Sequence, residues 1–201
     1  MNDRHRAVID GYADEFARNR RLHGDRIRCG PGCSACCHQL FQITEIEAAE
    51  VWRGVETLPE EVARRLREQA RAYLEERARL MNTGADGGEA WGSLPPAGAR
   101  LACPALVDDR CAIYEHRPIL CRKFGIPLWN PDRPGRVYAC ELNFAPGEEI
   151  EDGQLIQIQT ELHGEWKQVQ REYNESGGYR DPEPITVARA MLGRVPPGMI
   201  R

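Results

Sequence analysis

Four cysteines fall within nine residues of this chain, in the stretch Cys29-Gly30-Pro31-Gly32-Cys33-Ser34-Ala35-Cys36-Cys37. Its glycines and proline indicate a loop, and a loop can bend so that several sulfurs face one point. Four more cysteines follow, at Cys103, Cys111, Cys121 and Cys140. Because thiolates are soft ligands that select zinc, copper(I) and iron–sulfur clusters, all eight cysteines are predicted metal ligands.

The composition sets limits on what the protein can be. Hydrophobic residues make up 41% of the 201 residues and charged residues 29%, as in a polar globular protein, and the length predicts a single domain over 1–201. A net charge of −4 argues against general nucleic-acid binding, which needs a basic surface. We find no signal peptide and no apolar run near the roughly 18 residues of a membrane span. The predicted location is the cytoplasm, without membrane association.

Cytoplasmic thiols stay reduced, which favours metal ligands or redox groups over disulfides. The spacing C-x3-C-x2-C of the first three cysteines resembles spacings that wrap a cubane cluster, whereas zinc sites more often use C-x2-C or C-x4-C pairs. Neighbouring side chains usually diverge, so Cys36 and Cys37 are not expected to share one zinc ion. We therefore predict an iron–sulfur cluster, or two centres, with zinc as the alternative. His38 and His116 could replace a thiolate, although a surface or capping role is the commoner one for histidine.

Hydrophobic periodicity and turn signals predict the fold class. We expect a mainly α protein with a short β-hairpin, in which helices flank a small irregular, metal-stapled, cysteine-rich core. The cysteine-cluster region is predicted over 25–145 and the C-terminal helices over 150–201. The predicted elements are helices over 3–23, 44–56, 59–82 and 154–173, a last helix after Asp181-Pro182, a short helix near Pro118, strands over 105–107 and 110–114, and a linker over 83–100.

Two helices carry more detailed expectations. Helix 3–23 places apolar side chains near one face, namely Val8, Ile9, Tyr12, Phe16 and Leu22. Helix 59–82 is expected to place Leu80 and Met81 on its apolar side and its arginines outside, in i,i+4 pairs such as Glu60–Arg64 and Glu75–Arg79. Thr44 and Glu47 form a predicted capping box at the start of helix 44–56.

A radical S-adenosylmethionine enzyme is one specific alternative, because C-x3-C-x2-C is the cluster spacing of that superfamily and Gly87-Gly88-Glu89 resembles its methionine-binding motif. The setting does not fit. Arg26-Ile27-Arg28 precedes Cys29 where an apolar strand is expected, and Ala35 stands where an aromatic residue is expected before the third cysteine. We therefore reject this assignment.

The cysteine segments resemble the YkgJ-type cysteine-cluster family, also called the CxxCxxCC or zinc- or iron-chelating domain family. The resemblance covers about residues 25–145 and depends on Cys29 to Cys37, Cys103-Pro104-Ala105-Leu106, Cys111-Ala112-Ile113-Tyr114-Glu115-His116-Arg117-Pro118, Cys121-Arg122-Lys123-Phe124-Gly125 and Cys140. In this chain the first gap has three residues where the family name implies two, so Cys29 is the ligand with least support. The resemblance implies metal chelation by the eight cysteines and no defined reaction.

Several functions are compatible with these residues. The favoured one is a cytoplasmic iron–sulfur protein with a redox or accessory role, acting with a protein or small-molecule partner that the sequence does not identify. A structural zinc module would instead present helices 44–56 and 59–82 to a partner. A thiol oxidoreductase would use Cys36 and Cys37 as a labile pair. A flagellin lysine methylase carries a related cysteine-rich region, which implies an iron–sulfur-dependent protein-modifying enzyme as a further alternative.

Overall fold

A computed structural model of the chain describes residues 3–82, 94–177 and 185–193. Its fold is mainly helical with a two-stranded antiparallel hairpin, which confirms the predicted fold class. Short 3-10 turns occur at Gly24–Arg26, Ala35–His38 and Tyr114–His116. The longer elements are α1 (Asp3–His23), α2 (Glu45–Glu56), α3 (Glu60–Met81), β1 (Leu106–Val107), β2 (Arg110–Cys111), α4 (Ile119–Lys123), α5 (Leu155–Gly177) and α6 (Val187–Met191).

The chain divides into two compact units. The first unit is drawn from residues 1–33 and 119–172, and the second unit from residues 34–118 and 173–201. Each unit therefore combines two separate stretches of sequence. The expectation of a single domain over 1–201 stays a prediction.

Helix α2 begins with the predicted capping box. The backbone N–H and the hydroxyl of Thr44 donate to Oε2 of Glu47, at 2.9 and 2.8 Å. The Glu47 side chain thereby satisfies a backbone N–H at the start of the helix that would otherwise lack a partner. Because Glu47 is also almost fully buried, this cap holds the entry of α2 in place.

We expect Glu47→Ala to lower the free energy of unfolding by about 1–2 kcal/mol, since it removes a cap and leaves the Thr44 donors without their acceptor. Urea unfolding followed by circular dichroism measures the change. Glu61→Ala is the matched control, because that side chain lies 78% exposed on α3 and should change stability little. Equal stability of the two variants would contradict the role given to the cap.

The core of the second unit forms between α2, α3 and α6. Residues Ile43 and Ile185 pair as an antiparallel bridge, which places α6 beside the start of α2. The Thr186 hydroxyl accepts from the Arg189 amide at 3.2 Å and caps α6. The last predicted helix is thus present, while Asp181 and Pro182 lie outside the described residues. The most buried apolar side chains of this core include Ala48, Val51, Val55, Leu66, Ala70, Ala188, Ala190 and Met191.

Helix α3 departs from prediction in two ways. Arg77 is buried and donates to the Tyr73 hydroxyl at 3.2 Å, although its arginines were expected outside. This bond satisfies part of the hydrogen-bonding capacity of the buried guanidinium. Leu80 and Met81, which were expected on the apolar side, lie only partly buried. The second departure concerns an ion pair: Arg64 pairs with Glu61 and Glu68 rather than with the predicted Glu60. Glu61 and Glu68 each lie about one helical turn from Arg64. The predicted Glu75–Arg79 contact is present at 3.9 Å.

The first unit is built from α1, α4 and most of α5. Val8, Ile9 and Tyr12 of α1 are buried as predicted, whereas Leu22 in the last turn is 51% exposed and does not belong to the core. A buried polar side chain on α5 fastens the following loop: Gln159 accepts from the Trp129 amide at 2.7 Å and donates to the Pro127 carbonyl at 2.8 Å. Helix α5 therefore positions the loop that leads to Cys140.

Two loop predictions have different outcomes. Residues 125–150 contain no α-helix, and no helix was predicted there; short bridges join Phe124 to Ile126 and Leu128 to Tyr138. Of the predicted linker over 83–100, residues 83–93 lie outside the described residues and 94–100 are irregular. Across the described ranges, no helix combines the length and the apolar character needed to cross a bilayer.

Candidate metal centre

The second unit holds four of the predicted ligands, Cys36, Cys37, Cys103 and Cys111, and backbone hydrogen bonds bring their segments together. The Cys103 amide donates to the Cys37 carbonyl at 2.7 Å, and the Leu101 amide donates to the His38 carbonyl at 3.0 Å. Residues 101–103 therefore run beside the 3-10 turn Ala35–His38. Cysteines that lie far apart in the sequence thus lie on adjacent backbones.

The hairpin places Cys111 next to this pair of segments. Strand residue Cys111 pairs with Leu106, whose amide donates to the Cys103 carbonyl at 2.9 Å. The chain can reverse tightly here because Asp108 and Asp109 both adopt the left-handed conformation, with φ of 48° and 56°. Asp109 also accepts from the Ser34 hydroxyl at 2.7 Å, which ties the hairpin turn to the first cysteine segment.

Cys36 and Cys37 approach each other. A hydrogen bond from the Cys37 side chain, helped by the backbone amides of both residues, outweighs lost hydration and lowers the pKa of Cys36 to about 7. The tight 3-10 turn thus brings together two neighbouring side chains that commonly diverge, and the expectation that Cys36 and Cys37 do not share one zinc ion stays a prediction.

Cys103 has the opposite electrostatic setting. Loss of hydration is the main cause that raises the pKa of the Cys103 thiol to about 11; the charges of ionised Cys111 and Cys36 contribute to the rise, and a hydrogen bond from the Ala105 backbone opposes it in part. Cys103 and Cys111 both pack against the apolar core of the second unit. The Cys103 sulfur is therefore near enough to those of Cys111 and Cys36 to interact with them electrostatically.

The first unit holds the other four cysteines, among which Cys29 has the most closely defined surroundings. Its side chain packs against an apolar cluster of Ile27, Ile126 and Phe144. Its sulfur also lies directly against Gly125: a Cβ placed on that glycine would come within 2.3 Å of Sγ. Gly125 has a φ of +110°, a conformation that side-chain-bearing residues rarely adopt. The space for the Cys29 sulfur thus depends on this glycine.

Asn143 connects Cys29 with two other segments of the first unit. Its Nδ2 donates to the Gly125 carbonyl at 2.6 Å and to the Cys29 sulfur at 3.4 Å, while its Oδ1 accepts from the Arg28 amide at 3.2 Å. Its own amide donates to the Cys140 carbonyl at 2.8 Å. The side chain is 8% exposed. The backbones that carry Cys29 and Cys140 are therefore joined through one residue.

Cys33, Cys121 and Cys140 occupy different kinds of backbone. The Cys33 amide donates to the Gly30 carbonyl at 3.0 Å, and this cysteine is exposed. Cys121 lies in α4, four residues before Gly125, and Cys140 opens the tight turn that ends at Asn143. All eight cysteines lie in the described ranges and are thiols rather than disulfides.

The described residues contain no group of three or more Cys, His, Asp and Glu side chains at metal-binding geometry. The assignment of all eight cysteines as ligands therefore stays a prediction. The donor set itself fits a soft metal, because it consists of thiols with amide donors directed at two of the sulfurs, those of Cys36 and Cys29. The Cys29 sulfur belongs to the first unit and the Cys36 sulfur to the second.

A comparison with protein families identifies the cysteine region. The family model described as "CxxCxxCC: Putative zinc- or iron-chelating domain" matches residues 28–132, slightly more than half of the chain. The chain belongs to the CxxCxxCC family. The match confirms the resemblance seen in the sequence, and it supports chelation of zinc or iron as the general property of this region. Comparisons with curated proteins and with solved structures gave no match.

The CxxCxxCC match includes seven of the cysteines, while Cys140 lies beyond its end at residue 132. Cys29, which the spacing supported least, is inside the match and has the most specific contacts. The two histidines near the CxxCxxCC cysteines are held by other groups: His38 Nδ1 lies 3.1 Å from the Ser34 carbonyl oxygen, and His116 Nδ1 lies 3.5 Å from Oε2 of Glu50.

Sequence reasoning missed Gly125 and Asn143 as parts of the CxxCxxCC site. Gly125 was noted only as part of the segment that begins at Cys121. A glycine four residues after a cysteine, and an asparagine three residues after another, are common in any loop and give no signal by themselves. Their roles depend on long-range contacts with Cys29 that only the fold creates.

Proposed function

We propose that this chain binds an iron–sulfur centre, or more than one, through its clustered cysteines and serves a redox or accessory role in the cytoplasm. The observation that carries the proposal is the meeting of two distant cysteine segments in the second unit, through the 2.7 Å bond between the Cys103 amide and the Cys37 carbonyl. A site that gathers ligands from distant segments couples metal binding to folding.

The adjacent pair fits an iron–sulfur centre. Cys36 and Cys37 are neighbours in the 3-10 turn Ala35–His38. A cluster offers several iron ions, so neighbouring cysteines can each bind a different one. When bound, such a cluster exchanges single electrons.

The surroundings of the sulfurs support the same proposal. Backbone amides donate to the Cys36 sulfur, and hydrogen bonds to sulfur together with limited solvent access are the means by which proteins set cluster potentials. The packing of Cys103 and Cys111 against the core of the second unit restricts water there. The chain would thus hold the ligands and control the polarity around them.

Zinc is the second candidate. The family description names it, and the same packing of Cys103 and Cys111 against an apolar core suits a metal that only stabilises a fold. In that case the chain would act as an interaction module through the exposed side of α3, because most of α2 is buried. A zinc protein of this kind has no visible absorption and no sulfide.

The deciding experiment is anaerobic purification of the full chain, with a visible spectrum and with iron, zinc and acid-labile sulfide counted per chain. We expect a brown protein with iron and sulfide in similar amounts. Cys37→Ser and Cys103→Ser should each lower both counts, because each removes a sulfur from the joined segments. Gln39→Ala is the matched control beside the same turn and should keep the wild-type counts, because it leaves both sulfurs and the backbone hydrogen bond to the Cys36 carbonyl in place.

Each other result points elsewhere. A colourless protein with stoichiometric zinc would replace the iron–sulfur proposal with the zinc module. Eight thiols that titrate without bound metal would favour a thiol oxidoreductase using Cys36 and Cys37. Unchanged metal content in both Cys→Ser variants would place the centre away from the second unit.

A further inference from the structure

The side-chain hydrogen bonds of Asn143 are made to groups around Cys29. Its oxygen accepts from the amide that precedes Cys29, and its nitrogen donates both to the Cys29 sulfur and to the carbonyl of Gly125. The amide orientation is fixed by these partners, because the Arg28 amide is only a donor and the Gly125 carbonyl only an acceptor. An N–H therefore faces the sulfur.

The position of Asn143 in the chain adds to this arrangement. Its backbone amide and that of Phe144 both donate to the Cys140 carbonyl, at 2.8 and 2.9 Å, so the tight turn after Cys140 fixes where the side chain starts. The 8% exposed carboxamide then reaches the Cys29 backbone and the loop after α4. One residue thus sets the separation of the segments that carry Cys29 and Cys140.

We propose that Asn143 is the positioning residue of the first unit's metal-binding cysteines, holding the Cys29 sulfur in place and donating an N–H···S hydrogen bond to it when it is a metal-bound thiolate. This inference rests on the proposed function, because it assigns a role toward the bound metal. It adds a residue outside the cysteine set and outside the family match, which ends at residue 132.

The proposed bond has two consequences that can be separated. A ligand that is held in place loses less freedom on binding metal, so removal of Asn143 should weaken affinity; outer partners of this kind typically change metal affinity about 10–100-fold. A donated hydrogen bond also stabilises the sulfur lone pairs. Its loss should therefore move sulfur-to-metal charge-transfer absorption to lower energy, which a purely structural change does not require.

The test uses Co²⁺ as a spectroscopic probe, titrated anaerobically into the metal-stripped full chain. In Asn143→Asp, which keeps Oδ1 but lacks the Nδ2 donor, we expect Co²⁺ affinity of one class of sites to fall about 10–100-fold. We also expect its thiolate charge-transfer band to shift to lower energy. Asn143→Ser should show the same direction without adding a buried charge. Asn130→Asp is the control for added charge, because its Oδ1 serves the Asp132 amide in an exposed turn, and it should match wild type.

A double-mutant cycle keeps the result specific to the sulfur. In a Cys29→Ser background, Asn143→Ser should change Co²⁺ affinity no further, because the recipient of the bond is gone. Wild-type affinity and band position in both Asn143 variants would overturn the inference while leaving metal binding intact. Weaker affinity with an unshifted band would also overturn it, since Asn143 would then only support the fold. A wild-type chain that gives no thiolate band with Co²⁺ and contains no iron or zinc after anaerobic purification would refute the proposed function itself.

Discussion

Gly125→Ala is expected to lower the free energy of unfolding by about 2–5 kcal/mol and to reduce the metal content of the first unit. Two separate costs add. A Cβ at this position would lie 2.3 Å from the Cys29 sulfur, so the sulfur or the backbone must move. Alanine is also strained at a φ of +110°. Urea unfolding and metal analysis measure the two effects.

Gly135→Ala separates these costs. Gly135 has nearly the same conformation, with a φ of +114°, but no atom lies within 4 Å of its Cβ position. This control should show the backbone strain alone, of about 1–3 kcal/mol, and should keep its metal. If both variants lose equal stability and equal metal, the contact between Gly125 and the Cys29 sulfur has no special importance.

Removal of the bound metal is expected to have the largest effect of all, and to act unevenly. Structural zinc contributes about 10–16 kcal/mol of apparent binding free energy in zinc-finger peptides, so segments without an apolar core of their own should depend on the metal most. Residues 125–150 contain no α-helix, and they should open first. Helices α2, α3 and α6 share a buried apolar core and should stay folded.

Hydrogen exchange on the stripped chain tests this expectation, with limited proteolysis as a second measurement. We expect loss of amide protection and new cleavage sites within 125–150, with protection kept in α2 and α3. Reloading the metal should restore the original pattern, which is the control for damage during stripping. Equal protection of 125–150 with and without metal would show that this loop folds independently of the centre.

Local signals allowed much of the fold to be predicted. The capping box at Thr44 and Glu47, the short β-hairpin and the bounds of α1 depend on residues close in sequence, and the structure agrees with each. The predictions for Leu22 and Arg77 were wrong for the same reason. Their burial depends on what packs against the helix, which periodicity within one helix does not contain.

The site could be predicted only in part. Cysteine type and clustering indicated a soft metal, and the CxxCxxCC match agrees with that chemistry. The sequence did not indicate that the cysteines divide between two units. Cys33 belongs to the first unit and Cys36 to the second, although the two residues are only three positions apart. The contact between the Cys29 sulfur and Gly125 was not predicted either, because it joins two loops that no local pattern connects.

The interleaved order of the two units bears on how the protein is made. Cys29 and Cys33 leave the ribosome about 90 residues before Cys121, their nearest companion in the first unit. Because synthesis proceeds at ~5–20 residues per second, roughly 5–20 seconds pass between the synthesis of Cys33 and that of Cys121. During this interval the whole of 34–118, with its own four cysteines, is produced. Metal delivered during translation would therefore meet the second unit's thiols in a complete set before those of the first.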